Sequence, residues 1–217
     1  MLDQIPKQVD DANWEEYFIP GTNILKNKFN ITNQQELAKK ESEIVIEKLI
    51  ELHLNSEGCK ICTQSLIDIH KHLFDEIYFF AGQIRECSLS KNGYNFTDPY
   101  LIKKELEDIF LEYEPQINSA YSPAQYAHVL APFYYDLIRV HPFREGNGRT
   151  IREFVREVVL EKNKILPFQV ELDYSKMDKE NLMLGTKDRY LYGSLLEFEF
   201  MKALVPIENI KEQNNKK

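Results

Sequence analysis

The stretch RVHPFREGNGRTIREF, residues 139–154, joins two helical segments through a short loop and sets a histidine, an acid and two glycines beside closely spaced arginines. His141 precedes Pro142, and a residue before proline is pushed out of the α region, so the preceding helix has to end there. The imidazole is thus placed at a helix end, where it can face a cleft. It can take a proton near neutral pH or cap the carbonyls of its own helix. Phe143 is apolar within a polar loop and is expected to anchor that loop to the core.

Gly146, Asn147 and Gly148 follow. The two glycines permit backbone angles that bring successive N–H groups to one point, and Asn147 can donate from its amide. The helix that opens next adds the free N–H groups of its first turn and its dipole. Together they suit a phosphate, although a G-x-G pattern alone is more often a plain turn. Arg149 and Arg152, three residues apart, share one helix face and suit the outer phosphates of a polyphosphate. The alternative is a solvated face with Arg149 paired to Glu153. Ile151, Phe154, Val155, Val158 and Val159 form the opposite, core-facing stripe. Arg156 is assigned to helix–helix or surface pairing. Glu145 is the natural carboxylate for a Mg²⁺ ion bound mainly by phosphates, or a favourable charge at a helix N-terminus.

Outward from this stretch the chain reads as helical. Thr32 and Gln35 have capping-box spacing, opening a helix through Ile44, Ile46 and Leu49. Thr63 to Tyr78 carries Leu66, Ile69, His70, Leu73 and Ile77 on one face. Further helices are expected from Asp98 or Pro99 to Tyr113, Ser122 to Val140 with a kink at Pro132, Gly148 to Glu161, Lys176 to Leu184 and Leu191 to Leu204. Asn92-Gly93 within SLSKNGYNF is the one strand signal, a hairpin turn. The fold class is all-α with one short β-hairpin. Residues 1–30 read as an irregular segment packed on the domain, 31–205 as the domain and 206–217 as a polar tail.

The bulk numbers bound the function. The 217 residues are 43% hydrophobic and 29% charged, with a net charge of −8, which describes a globular chain with a real core. The acidic balance argues against general nucleic-acid binding. No apolar run reaches the roughly 20 residues of a membrane span, and the N-terminus is unlike a signal peptide, so a cytoplasmic location without membrane contact is expected. Cys59, Cys62 and Cys87 are odd in number, which argues against a disulfide framework. The Cys59-x-x-Cys62 pair supplies half a zinc site and is read as incidental. Tyr190 and Tyr192 are candidates for a base pocket or for the core.

The motif His141, Phe143, Glu145, Gly146, Asn147, Gly148, Arg149 and Arg152 resembles the signature of the Fic family. The segments YFIPGTNILKNKFNI and LIDIHKHLFDEIYFFAGQIRE and the hairpin resemble it too, extending the likeness from about Tyr17 to Val205. The resemblance implies a helical Fic-like bundle that transfers AMP from ATP to a Ser, Thr or Tyr hydroxyl of a target protein and releases pyrophosphate. It implies His141 as general base and Glu145 as the Mg²⁺ ligand. It places the phosphates on Gly146, Asn147, Gly148, Arg149 and Arg152. It makes Ser90, Lys91, Asn92 and Gly93 a flap that docks the target. Gly148 argues against the branch that phosphorylates its target, while UMP or phosphocholine transfer stays open.

Members of this family are restrained by a helix whose glutamate pairs with the second arginine of the motif. Only Thr32 to Glu36 fits most of that pattern, so Glu36 is a candidate inhibitory residue, with helix capping as the alternative. The resemblance is to the toxin branch, in which a separate small antitoxin supplies that helix and the target is an ATPase subunit of a type II topoisomerase. The alternatives are a bifunctional or self-inhibited enzyme that also removes AMP by way of Glu36, and a nucleotide-binding regulatory module.

Overall fold

The computed structural model describes residues 15–91 and 93–207. Among them run α1 (Gln34–Asn55), α2 (Thr63–Phe74), the strands β1 (Ser90–Lys91) and β2 (Tyr94–Asn95), α3 (Ile102–Asn118), α4 (Pro123–Val140), α5 (Asn147–Lys162), β3 (Val170–Leu172), α6 (Lys179–Gly185), α7 (Arg189–Ala203) and β4 (Leu204–Pro206). The fold is helical, as expected, and α4 is at its centre, packed against α3, α5 and α7, while α2 packs on α5. Tyr126, Ala127, Leu130, Phe133 and Leu137 of α4 are fully buried, and so is the α5 stripe of Ile151, Phe154, Val155 and Val158. Each large side chain of this kind contributes about 1.5–3 kcal/mol by leaving water, which fixes the α4–α5 junction rigidly in the core.

Local chemistry explains where the helices begin. Ser122 Oγ accepts from the N–H of Gln125 at 3.2 Å, with Pro123 in the first turn. Asp188 Oδ1 accepts from Tyr190 at 2.8 Å and Leu191 at 3.1 Å. The α1 start differs from expectation by one residue. Asn33 is the cap, its Oδ1 accepting from the N–H groups of Gln35 at 2.9 Å and Glu36 at 3.0 Å, because an amide oxygen on a short stem reaches the second and third N–H groups as well as a hydroxyl does.

Other boundaries also move. α2 stops at Phe74, and the chain then turns through Ile77 and Tyr78, which are buried without helical structure. α3 continues past Tyr113 through Pro115 to Asn118, since Tyr113 and Ile117 both bury and the helix tolerates one missing N–H near its end. The largest correction is a second strand pair. β3 and β4 pair antiparallel with Val170 opposite Pro206 and Leu172 opposite Leu204. β3 alternates buried, exposed, buried, yet three residues are too few for the alternation to stand out in the sequence. Its partner directly follows α7, far away in the chain.

The hairpin forms where expected, with Ser90 opposite Asn95 and Lys91 opposite Tyr94. Gly93 has φ 82°, the left-handed conformation that an Asn-Gly turn uses. Asn92 lies outside the described residues, as do most of the expected tail and the first part of the N-terminal segment. No helix among the described residues is long and apolar enough to cross a membrane.

Candidate active site

The site forms where α4 ends and α5 begins. The N–H of His141 makes the last helical bond, to Leu137 O at 3.2 Å. Its own backbone then turns left-handed, φ 52° and ψ 60°. A non-glycine residue in this region costs on the order of 1–3 kcal/mol and persists only where neighbours over-determine it. The sequence placed the helix end correctly and did not show this strain.

Two contacts orient the imidazole. Nδ1 lies 3.2 Å from Ile138 O, and the ring stacks on Phe96 with centroids 3.8 Å apart and planes 11° from parallel. A carbonyl can only accept, so Nδ1 carries the proton and Nε2 holds the lone pair. The two roles considered for His141 are therefore compatible: the capping bond sets the tautomer that a base requires. Burial pushes its pKa down to about 3, the Ile138 bond opposing and the charges of Arg85 and Lys91 adding. The ring is neutral at physiological pH.

The loop between the helices is tied down at both ends. Phe143 is fully buried and stacks face to face on His70, centroids 3.8 Å apart. Asn147 closes the loop on itself: its Oδ1 accepts from Phe143 N at 2.8 Å and its Nδ2 donates to Phe143 O at 2.7 Å. Asn147 was expected to donate its amide to phosphate, but here the side chain shapes the cradle and its backbone N–H is what faces the first turn without an intrahelical acceptor.

His70, read from the sequence only as part of an apolar helix face, proves central to the loop. Its Nδ1 accepts from Gly82 N at 2.8 Å and its Nε2 donates to Glu145 O at 3.1 Å. Burial pushes its pKa down to about 4. A polar side chain alone on an apolar helix face was the signal available in the sequence.

The two glycines play different parts. Gly146 has φ 79°, and a Cβ there would sit 2.4 Å from the Phe74 ring. Both conformation and space demand glycine. At Gly148 a Cβ would meet nothing closer than Arg152 Nη1 at 3.5 Å. The chain's own packing leaves that position open, as a site of close ligand approach would require. The N–H groups of Asn147, Gly148 and Arg149 lie in the first turn of α5, where the helix dipole favours an anion.

Arg149 is held from several sides. Nη1 donates to Glu41 Oε1 at 2.6 Å, Nη2 is 3.6 Å from Glu145 Oε1, and the guanidinium lies 4.8 Å over the Phe74 ring. Glu41 also accepts from Tyr78 OH. The sequence had offered Glu153 as the alternative partner; Glu153 instead pairs with Arg156. Glu41 was missed, and nothing in its spacing marked it. Arg152 lies near the buried Tyr134 hydroxyl, and its charge opposes the upward push that burial gives that phenol's pKa.

Glu36 does not reach this site. It is exposed in the first turn of α1, and the α1 carboxylate that pairs with a motif arginine is Glu41, at Arg149. Tyr190 is 99% exposed, a surface position rather than a core one.

Glu145 is 40% exposed at its side chain, and its Oε1 accepts from Gly146 N at 2.9 Å. Among the described residues no group of three or more His, Cys, Asp or Glu side chains could hold a metal ion. One exposed carboxylate beside an anion cradle fits Mg²⁺ held mainly by phosphate oxygens and water.

A helical domain with a neutral histidine at one helix end, and an anion cradle with two arginines at the start of the next, defines a class of phosphate-handling sites. Residues 60–158 match the model of the Fic/DOC family. It is 28% identical over 200 residues to the protein adenylyltransferase VbhT of Bartonella schoenbuchensis, which covers 88% of this chain and 38% of that protein. It is 25% identical over 198 residues to a protein adenylyltransferase of Bartonella henselae, covering 83% of this chain and 35% of that one. The chain thus spans little more than a third of the length of these two relatives. Among solved structures, BepC from Bartonella tribocorum, with bound AMPPNP, superposes with a TM-score of 0.79 at 23% identity, covering 91% of this chain and all of that one. At that identity the likeness is one of fold.

Proposed function

We propose that this chain is a protein adenylyltransferase. The observation that carries the reading is the free Nε2 of His141 at the end of α4, beside the open first turn of α5. The names of the two Bartonella relatives support it. In the proposed reaction the hydroxyl oxygen of a target Ser, Thr or Tyr attacks the α-phosphorus of ATP. A new O–P bond forms as the bond to the bridging oxygen breaks, and the pair leaves with pyrophosphate.

His141 Nε2 takes the hydroxyl proton. Its Nδ1–H bond to Ile138 O keeps the accepting nitrogen correctly placed throughout. The first-turn N–H groups of α5, with Arg149 and Arg152, hold the outer phosphates and offset the charge that develops on the leaving group. Asn147, Phe143 and His70 keep the cradle in shape before substrate arrives, so little reorganisation is needed. Glu145 would hold Mg²⁺, which when bound neutralises charge on the phosphates.

The hairpin of Ser90, Lys91 and Gly93 is the docking flap in this reading. Its strands are two residues long and can pair with an extended target segment by strand addition. Glu36 is exposed in the first turn of α1, and the reading includes a separate small antitoxin that brings its own glutamate to Arg152. An ATPase subunit of a type II topoisomerase is the proposed target, with a cytoplasmic site of action. The hydrolase and self-inhibited alternatives both need Glu36 in the site, and its position favours neither.

The test is pyrophosphate release from ATP and Mg²⁺ by the purified chain, with and without a candidate target. Target-dependent release by wild type, lost in His141→Ala with ATP binding retained, is the expected result. Binding without release would favour the regulatory module.

A further inference from the structure

Arg85 is 2% exposed and sits directly behind His141. Its guanidinium donates to four carbonyls: Nε to His141 O at 2.7 Å, Nη1 to Cys87 O at 2.7 Å, and Nη2 to both Thr97 O and Val140 O, the latter at 3.2 Å. Its main-chain N–H adds a bond to Pro142 O at 2.9 Å. Cys87 and Thr97 are in the two legs of the hairpin, below the bridge in which Phe96 N donates to Leu89 O. Val140, His141 and Pro142 are the end of α4 and its strained exit. One planar fork thus fastens both legs of the flap to the backbone of the residue with the free imidazole nitrogen.

Phe96 makes the second connection. It follows β2 directly and stacks on the His141 ring. Thr97 makes a third, its Oγ1 donating at 2.7 Å to Glu105 Oε2, which also accepts from Arg139 Nη2 at 3.0 Å. The left-handed backbone at His141 is the kind that only surrounding structure maintains, and the Arg85 bonds clamp the carbonyls on both sides of the turn.

We propose that Arg85 is a positioning residue that locks the target-docking flap and His141 into one rigid unit, so that docking a target at the hairpin sets the hydroxyl-to-imidazole geometry. The proposal rests on the adenylyltransferase reading. It separates two duties of the site: the α5 cradle binds nucleotide alone, and the Arg85 unit aligns the target with the base. A lysine at 85 keeps a charge but has no planar fork to serve four carbonyls.

The experiment compares wild type, Arg85→Lys and Phe96→Ala for ATP affinity, for kcat and target KM in transfer, and for thermal midpoint. Misplacement of a base by about an ångström costs up to roughly 100-fold. Arg85→Lys is therefore expected to lower kcat about 10- to 100-fold and raise target KM, with the Kd for ATP within about two-fold of wild type. Phe96→Ala, which leaves the buried arginine intact, shows the same pattern more weakly and remains readable if Arg85→Lys does not fold. A transfer rate within about two-fold of wild type in the folded variants, or an ATP Kd that worsens in step with kcat, overturns the proposal. Wild type that binds ATP but transfers nothing under any target condition defeats the adenylyltransferase reading itself, an outcome distinct from a wild type that works and an Arg85 variant that works equally well.

Discussion

The ring of Phe96 lies 3.8 Å from the ring of His141 and nearly parallel to it. One residue comes from the flap and the other from the end of α4, so the surface that would dock a target touches the group that would take its proton. The Nδ1 bond to Ile138 O completes the arrangement, leaving Nε2 as the free nitrogen.

Replacing that nitrogen is the sharpest chemical test. His141→Ala is expected to reduce AMP transfer by about 10²- to 10⁴-fold and to change ATP affinity little, since the cradle belongs to α5. Isothermal titration with ATP beside a transfer assay separates the two effects. Equal losses of binding and transfer would mean that His141 supports the cradle instead.

The two glycines should behave differently. Gly146→Ala combines a left-handed backbone with a Cβ 2.4 Å from the Phe74 ring, and is expected to destabilise the fold by about 2–4 kcal/mol. Gly148→Ala meets no such clash and should leave stability within about 1 kcal/mol, while weakening ATP binding where the nucleotide approaches. Denaturant unfolding and ATP titration on both variants check this. Equal stability losses would show that Gly148 is also required by the fold.

Glu41 is paired with Arg149, one of the two arginines assigned to the phosphates in the proposed reaction. Glu41→Gln keeps an oxygen acceptor for Arg149 and turns its NH2 toward the Tyr78 hydroxyl, which can accept in place of donating, but removes a negative charge beside Arg149. ATP affinity is expected to rise about two- to five-fold, in line with loss of one partly screened charge. A weaker affinity would show that the ion pair serves to aim Arg149.

His70 should resist protonation. Its folded pKa lies near 4, below the ordinary 6.5, because of burial. A histidine held neutral in the fold contributes stability that is present above pH 6.5 and is lost as pH falls towards 4. By pH 5 the loss is about 2 kcal/mol. Imidazole NMR resonances of His70 should not titrate between pH 8 and 5, and unfolding free energy should fall across that interval. A midpoint near 6.5 would contradict the buried, hydrogen-bonded ring.

What was legible in the sequence was local. His141 before Pro142, the glycine pair and the α5 stripe are fixed by neighbours in the chain, and the helix end, the loop and the buried face follow from them. The hairpin was legible because Asn-Gly determines its own turn. Residues that act across the fold gave little such signal, His70 only as a polar side chain on an apolar helix face. Arg85, Glu41 and His70 reach the site from other segments, and their roles depend on which carbonyls, rings or charges the packing sets opposite them. β3 and β4 were missed for the same reason, as three-residue strands that lie far apart in the chain and pair across the fold. Asn147 shows the intermediate case: its place in the loop was legible, while the direction of its amide was decided by the carbonyl and N–H of Phe143.

The central claim is AMP transfer with His141 as base. The direct measurement is incubation of wild type and His141→Ala with a target-containing lysate, Mg²⁺ and ATP labelled in parallel at the α- or the γ-phosphate. The account predicts a protein band labelled from the α position, unlabelled from the γ position, and missing with the variant. Label from the γ position, or an α-labelled band of equal intensity with His141→Ala, would contradict it.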